Sequence, residues 1–147
     1  MEFKPFDKIG RLSRDIVITE KIDGTNASIC ITEEGEFLTG SRTRWITPTD
    51  DNYGFSNWAH ENKEALMGLG VGHHFGEWWG QGIQRNYGIK EKRFSLFNIA
   101  RWEKPENVLP ACCSLVPVLY RGPFLTEEVM RVMGDLAVNG SKAAPYM

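Results

Sequence analysis

Hydrophobic and polar residues alternate over the first part of the chain, and this two-residue period is typical of β-strands. The alternation predicts two short strands, over residues 15–21 and 26–32. Asp23-Gly24 would form the bend between them, because both residue types tolerate a positive φ in tight turns. A further turn at Glu33-Glu34-Gly35 predicts a third strand over 36–39. This part of the chain is therefore expected to form consecutive β-hairpins.

The rest of the chain predicts three further strands and two helices. Ser56 or Asn57 is expected to cap the first helix and Thr126 the second, because short polar side chains accept hydrogen bonds from free backbone N–H groups. Pro117 indicates an edge strand, since proline cannot donate to a ladder. The strands are expected over 71–80, 93–101 and 115–120, and the helices over about 56–67 and 126–139. This strand-rich order favours the α+β class.

The composition is that of an ordinary globular protein, and the 147 residues are interpreted as one domain over 1–147. Phe3 and Phe6 are expected to pack on the edge of that domain. No apolar run reaches the ~18 residues of a membrane span, which favours a cytoplasmic protein with no membrane partner. Three cysteines without Cys-x-x-Cys spacing indicate neither a disulfide framework nor a zinc site. Because the net charge is −2, any surface that binds a polyanion must be local.

A few side chains are candidates for chemistry. Lys21 lies at the Asp-Gly bend, where a lysine is most often a solvated neighbour of a common turn. Glu77 lies among aromatic residues, and a carboxylate in that setting is costly unless it is paired. Arg42 and Arg44 are two apart in a segment expected to be extended, so they form either a small cationic face or a solvated strand end. His73-His74 would point to opposite faces of a strand, which disfavours a shared metal.

Four short motifs follow one another in an order that is more specific than any of them alone. They are Glu20-Lys21-Ile22-Asp23-Gly24-Thr25-Asn26, Ser41-Arg42-Thr43-Arg44, Phe75-Gly76-Glu77 and Phe94-Ser95-Leu96-Phe97-Asn98. A Lys-x-Asp-Gly turn is the nucleophile motif of the covalent nucleotidyltransferases. The whole set most closely resembles the nick-sealing (type 2) RNA ligases, and the resemblance covers essentially the whole chain.

The resemblance implies a set of catalytic roles. Lys21 matches the lysine that attacks the α-phosphate of ATP and becomes a lysyl-AMP phosphoramidate. Asp23 would place a carboxylate by the divalent metal, Mg2+ or Mn2+, and by the ribose. Asn26 matches an asparagine that these enzymes use when a 3′-hydroxyl attacks the activated 5′-phosphate. Arg42 matches an arginine near the ribose and the phosphate.

The resemblance also implies how the nucleotide is held. Glu20 would contact adenine, largely through its backbone, and Glu77 would accept a hydrogen bond from a ribose hydroxyl. Phe97 matches the aromatic residue that stacks on adenine. Asn98 stands where the family commonly has aspartate, so no role is assigned to its side chain. The implied fold is the nucleotidyltransferase type, with twisted antiparallel sheets enclosing the nucleotide and helices outside.

The implied partners are ATP and RNA ends that carry a 5′-phosphate and a 3′-hydroxyl, with a nicked duplex as one form of the substrate. The RNA strands would lie along a groove near Arg42, Arg44 and Arg85, continued by Lys90, Lys92 and Arg93. These contacts would weaken with salt. The pattern indicates no particular oligomeric state.

After the last of these motifs the family continues with a Glu-Gly-Val-type strand and a Lys-x-Lys strand, and neither follows Asn98 in this sequence, which ends at Met147. We therefore expect either a fragment of a longer ligase that lacks its C-terminal strands, or a naturally short relative with weak or absent catalysis. A non-catalytic domain that binds nucleotide or nucleic acid is the alternative function. A DNA ligase and a capping-type guanylyltransferase are less favoured, the latter because the match extends to Thr25-Asn26.

Overall fold

The computed structural model of the protein describes residues 15–85 and 87–143. Within that part of the chain the strands are β1 Asp15–Thr19, β2 Thr25–Ile31, β3 Phe37–Gly40, β4 Trp45–Ile46, β5 Gly72–Gly80, β6 Lys92–Leu96, β7 Cys113–Leu115 and β8 Val118–Pro123. The α-helices are α1 Phe55–Glu61, α2 Lys63–Leu66, α3 Ile99–Trp102 and α4 Thr126–Asn139, and a 3-10 turn spans Met67–Leu69. The α+β prediction is confirmed. The expectation for Phe3 and Phe6 lies outside the described residues.

The described residues fall into two compact units. The larger unit is Lys21–Val116, and the smaller one combines residues 15–20 with residues 117–143. In the smaller unit β1 and β8 form an antiparallel ribbon, and α4 follows β8. A single domain over 1–147 stays a prediction. None of the described helices is both long enough and apolar enough to cross a membrane.

The larger unit is built on a six-stranded sheet with the order β4-β3-β2-β5-β6-β7, antiparallel except for the β6–β7 pair. Strand β2 pairs with β3 along one edge and with β5 along the other, from Thr25 opposite Trp78 to Ile31 opposite Gly72. The predicted hairpin of the first two strands around Asp23-Gly24 is therefore wrong, because both edges of β2 are occupied and β1 pairs with β8 instead. The predicted β2–β3 hairpin is confirmed, with Gly35 at a φ of 88° in its turn.

The two faces of this sheet differ in character because successive side chains of a strand point to opposite sides. One face packs its apolar residues against α1 and α2, and each such side chain contributes roughly 1.5–3 kcal/mol when fully buried. This buried face includes Ala27, Ile29, Ile31, Trp78, Phe94 and Leu96, which meet Phe55, Ala59 and Leu66. The other face carries Asn26, Ser28 and Glu77, so β2 and β5 place polar chemistry there.

Three further predictions need correction where local hydrogen bonding differs from the expected pattern. Helix α1 begins at Phe55, and the carboxylate of Asp51, rather than Ser56 or Asn57, accepts from the free N–H groups of its first turn. The expected long helix is interrupted at Asn62, which ends α1 and precedes α2. For α4 the capping position is Leu125, one residue before the predicted Thr126.

Two predicted strands differ from their expected extents. The strand over 93–101 ends at Leu96, because the side chain of Asn98 accepts a hydrogen bond from Arg101 N and starts α3. The strand over 115–120 is split into β7 and β8 around Pro117, which has no N–H to continue a ladder.

Candidate active site

The Lys21–Gly24 segment enters β2 at the polar face of the sheet. Lys21 and Asp23 are exposed, and Ile22 between them is buried. Neither Asp23 nor Gly24 has a positive φ, so the turn argument made from the sequence does not hold here. Glycine is required for a different reason: a Cβ on Gly24 would lie 2.7 Å from Trp79 Cβ and would clash with the carbonyl oxygen of Trp78.

Two long-range hydrogen bonds fix this segment. Gly24 N donates to Glu77 Oε2 at 2.9 Å, and Asp23 N donates to the Tyr87 hydroxyl at 2.8 Å. The Tyr87 ring is buried and packs edge-on against Trp79, with the ring centroids 5.1 Å apart. Tyr87 was not predicted as a site residue, since its only distinguishing feature in the sequence is that it is an aromatic residue within a polar loop.

Glu77 is 8% exposed, and its environment perturbs its ionisation. Burial raises the pKa of the Glu77 carboxyl, and the hydrogen bond from Gly24 N lowers it less strongly. The negative charge of Asp23 also raises this pKa, whereas the positive charge of Lys21 lowers it. The two charged side chains of the Lys-x-Asp-Gly motif therefore both lie within electrostatic reach of Glu77.

A polar cleft of about 600 Å³ opens beside these residues. Its lining is Lys21, Ile22, Asp23, Gly24, Thr25, Asn26, Arg42 and Glu77. Asn26 lies opposite Glu77 in the β2–β5 ladder, so both side chains project from the same face. Five of the residues singled out from the sequence thus meet in one place, although they come from three separate motifs.

A second depression of about 310 Å³ adjoins the cleft through Asn26 and Arg42. Phe97 and Phe75 form part of its wall, and Phe97 is 44% exposed at the end of β6. The structure therefore brings Phe97 next to the cleft, with its ring accessible for stacking.

Three other predicted site residues line neither the cleft nor this second depression. Glu20 is buried in the smaller unit, where its carboxylate accepts hydrogen bonds from Ser141 Oγ at 2.5 Å and Lys142 N at 2.7 Å. Arg44 forms a 2.9 Å salt bridge with Asp50. Arg85 is exposed in the loop after β5 and lines neither depression.

The segment that carries Arg42 and Arg44 is bent rather than extended, and Ser41 N donates to Arg44 O. The premise that the two arginines project alike from a strand is therefore wrong. Both arginines still border a third depression, which is also lined by Ser28 of β2, Trp45 of β4 and Phe75 of β5. The predicted opposite orientation of the histidine pair agrees with the structure, in which His73 is exposed and His74 is buried with Nε2 2.8 Å from Gly70 O.

Among the described residues, no group of three or more His, Cys, Asp or Glu side chains is arranged to hold a metal ion. The cleft has two carboxylates, those of Asp23 and Glu77. Mg2+ commonly binds through only one or two carboxylates, with water and substrate phosphates completing its shell. The donor set therefore fits a metal that arrives with a nucleotide.

The six-stranded sheet with the motif lysine in a polar cleft agrees with the nucleotidyltransferase-type fold that the motif resemblance implies. A family model for RNA ligase matches residues 14–143, and the chain belongs to this family. Solved structures of a Naegleria gruberi RNA ligase share the fold. A variant with ATP and Mn is 21% identical with a TM-score of 0.63, and the match covers 84% of this chain and 42% of that one.

Two further Naegleria gruberi structures give similar values. A variant with AMP and Mn is 22% identical with a TM-score of 0.63, and an apo variant is 22% identical with a TM-score of 0.64. Each match covers 85% of this chain and 42% of the other. The chain thus corresponds to less than half the length of the structures it matches.

Proposed function

We propose that this chain carries the nucleotide-transfer site of an ATP-dependent RNA ligase that works through a lysyl-AMP intermediate. The observation that carries the proposal is the convergence of Lys21, Asp23, Asn26, Arg42 and Glu77 on one cleft. Membership of the RNA ligase family supports it, as do the Naegleria gruberi structures that contain ATP or AMP with Mn.

In the first step the Lys21 amine attacks the α-phosphorus of ATP. A P–N bond forms, the bond from that phosphorus to the bridging oxygen breaks, and pyrophosphate leaves. The amine must be neutral to attack, so its proton passes to solvent, to which Lys21 is exposed. Arg42 would stabilise the negative charge that develops on the phosphate oxygens. Glu77 Oε2 is held by Gly24 N, which leaves Oε1 to accept from a ribose hydroxyl.

Asp23 is the residue we expect to hold Mg2+ or Mn2+. When bound, the metal would neutralise phosphate charge and help to orient the triphosphate. Asp23 suits this role because its carboxylate is exposed in the cleft while its backbone N–H is fixed by Tyr87.

The later steps transfer the activated group to RNA. A 5′-phosphate oxygen attacks the phosphorus of lysyl-AMP, the P–N bond breaks, and AMP becomes linked to the RNA end. A 3′-hydroxyl then attacks the 5′-phosphorus, and AMP leaves as the phosphodiester forms. Asn26 is exposed beside Arg42, where it can orient these ends. RNA ends, including those at a nick, are the proposed substrates.

The remaining predicted residues keep proposed roles. Phe97 would stack on adenine, since its ring is accessible in the depression next to the cleft. Contact between Glu20 and adenine, contact of Arg44 and Arg85 with nucleic acid, and cytoplasmic localisation all stay predictions.

Sealing of a nicked duplex whose 5′-end already carries AMP tests the proposal, because this substrate bypasses the first step. We expect wild type and Lys21→Ala to seal it, and Asn26→Ala to lose the activity by about 100-fold or more. Lys104→Ala removes an exposed lysine elsewhere in the same unit and serves as the matched control. Failure of the folded wild type to seal this substrate would overturn the proposed ligase function.

A further inference from the structure

Three aromatic rings lie exposed on the open face of the sheet, next to the cleft. Trp45 on β4 is 54% exposed and Phe75 on β5 is 55% exposed. The exposed His73 ring connects them, stacked on Trp45 with centroids 5.7 Å apart and on Phe75 with centroids 4.1 Å apart. Large aromatic side chains are usually buried, and an exposed cluster of them marks a binding surface.

The strand register explains why these rings are exposed to solvent. Trp45 pairs with Gly40, Gly40 with Ser28, and Ser28 with Phe75, so the aromatic side chains flank two small residues on one face. Trp45 lies close over Gly40, because a Cβ there would be 3.4 Å from Trp45 Cε3 and 2.8 Å from Ser28 Oγ. A depression of about 270 Å³ opens over these small residues and is bordered by the three rings.

The charge around this depression favours an anionic ligand. Among the described residues, Arg42 and Arg44 line it and no carboxylate does. Arg44 is partly neutralised by its salt bridge to Asp50, whereas Arg42 has no ion pair among the described residues. Arg42 also lines the cleft that contains Lys21, so the aromatic face and the cleft are continuous.

We propose that this face binds an unpaired segment of a nucleic-acid strand. Bases would stack on Trp45 and Phe75, and phosphates would lie against Arg42 and Arg44. This inference rests on the proposed ligase function, because it assigns to this face the binding of that enzyme's substrate strand. Aromatic stacking accepts any base, because every base presents a π-face. The surface should therefore prefer single strands to a fully paired duplex, whose bases are already stacked.

Fluorescence anisotropy with a labelled single-stranded RNA of about ten nucleotides, at low salt and without ATP, tests the proposal. Removal of one stacking partner should weaken binding by about 5- to 100-fold in Trp45→Ala and in Phe75→Ala. Trp45→Phe keeps an aromatic face and should retain most of the affinity. Phe124→Ala removes an aromatic side chain of similar exposure, 43%, in the smaller unit and should change nothing.

Two further arms separate stacking from other modes of binding. Trp45→Ala and Phe75→Ala should weaken the binding of DNA of the same sequence as much as they weaken the binding of RNA, since stacking does not read the 2′-hydroxyl. A loss of affinity confined to RNA would contradict the proposal. A blunt duplex of the same length should bind the wild type more weakly than the single strand does. Equal binding of the duplex would also contradict the proposal.

The proposal is overturned if wild type shows no binding, or if Trp45→Ala and Phe75→Ala both bind like wild type. Thermal unfolding of each variant shows whether the fold is kept, which is expected because both rings are exposed. Binding is measured without nucleotide, so its failure is distinct from a failure of Lys21 adenylation, which is scored on the same wild-type sample by mass.

Discussion

Glu77 links the chemistry of the cleft to its architecture. Its carboxylate lies on β5 and accepts a hydrogen bond from Gly24 N. The charges of both Lys21 and Asp23 shift its pKa. A buried carboxylate is costly, and here one hydrogen bond from the motif loop offsets part of that cost. The same contact fixes the loop that presents Lys21. Loss of the hydrogen bond between Gly24 N and Glu77 should therefore reduce the reactivity of Lys21 more than it destabilises the fold.

The raised pKa of Glu77 gives a stability prediction for Glu77→Gln. Because the folded state holds this proton more tightly than the unfolded state, the contribution of Glu77 to stability is full below its ordinary pKa of 4.5. That contribution is lost as pH rises through the raised value. The amide of Gln can still accept from Gly24 N but does not titrate. Wild type should therefore lose stability relative to Glu77→Gln as pH rises from about 4 to 8.

Urea unfolding of both proteins across this pH range measures that difference. A difference in free energy of unfolding that stays constant, or that moves in favour of wild type with rising pH, would contradict the assignment of a raised Glu77 pKa.

Tyr87 gives a second prediction, because its hydroxyl accepts from the N–H of Asp23. Tyr87→Phe removes that acceptor with little change of shape, and should cost about 1 kcal/mol of stability. The rate of lysyl-AMP formation should fall by about 10-fold or more, because Lys21 lies two residues away on the same loop.

The expected signature in adenylation kinetics is a lower kcat with a smaller change in KM for ATP. Tyr120→Phe is the matched control, since it removes a hydroxyl that donates to Pro123 O in the smaller unit. An adenylation rate unchanged in Tyr87→Phe would show that Tyr87 does not position the loop.

Among the secondary-structure elements, the start of α1 shows how a loop carboxylate replaces a capping residue. Asp51 accepts from the backbone N–H groups of Asn52, Ser56 and Asn57. Partial burial acts to raise the pKa of Asp51, but these hydrogen bonds outweigh it and the pKa is lowered. The helix tied to Asp51 packs Phe55 and Ala59 against the sheet that carries the cleft.

Asp51→Ala should therefore destabilise the protein by about 1–2 kcal/mol at neutral pH. A lowered pKa means that the contribution of Asp51 is present above its ordinary value of 3.8 and is lost as pH falls through the folded value. The effect of the substitution should shrink in acid. Asp50→Ala, which removes a surface salt bridge to Arg44, should cost less than about 1 kcal/mol. Urea unfolding measures both variants, and an equal loss in free energy of unfolding for Asp51→Ala and Asp50→Ala would contradict the capping role of Asp51.

The elements also show what periodicity can and cannot predict. The expected strand over 71–80 agrees with β5, because alternation and flanking glycines are local signals. The β1–β8 pairing joins residues about a hundred positions apart, and no local pattern encodes such a register. Phe97 was expected within a strand, but Asn98 starts a helical turn immediately after it.

For the molecule as a whole, the candidate site was more predictable than the topology. The resemblance of the ordered motifs to RNA ligases selected Lys21, Asp23, Asn26, Arg42 and Glu77, and the structure brings these residues to one cleft. Tyr87 and the aromatic face were not predicted, because the contacts that place them join residues far apart in the sequence. The α+β class followed from the balance of strands and helices.

The central claim is that Lys21 is the nucleophile of an adenylating site. The most direct measurement is the intact mass of the protein after incubation with ATP and Mg2+ or Mn2+, with GTP in parallel. We expect the mass of one AMP to be added to wild type and Lys104→Ala, no addition to Lys21→Ala, and little addition from GTP. An AMP adduct that persists in Lys21→Ala, or its absence from folded wild type, would contradict the account.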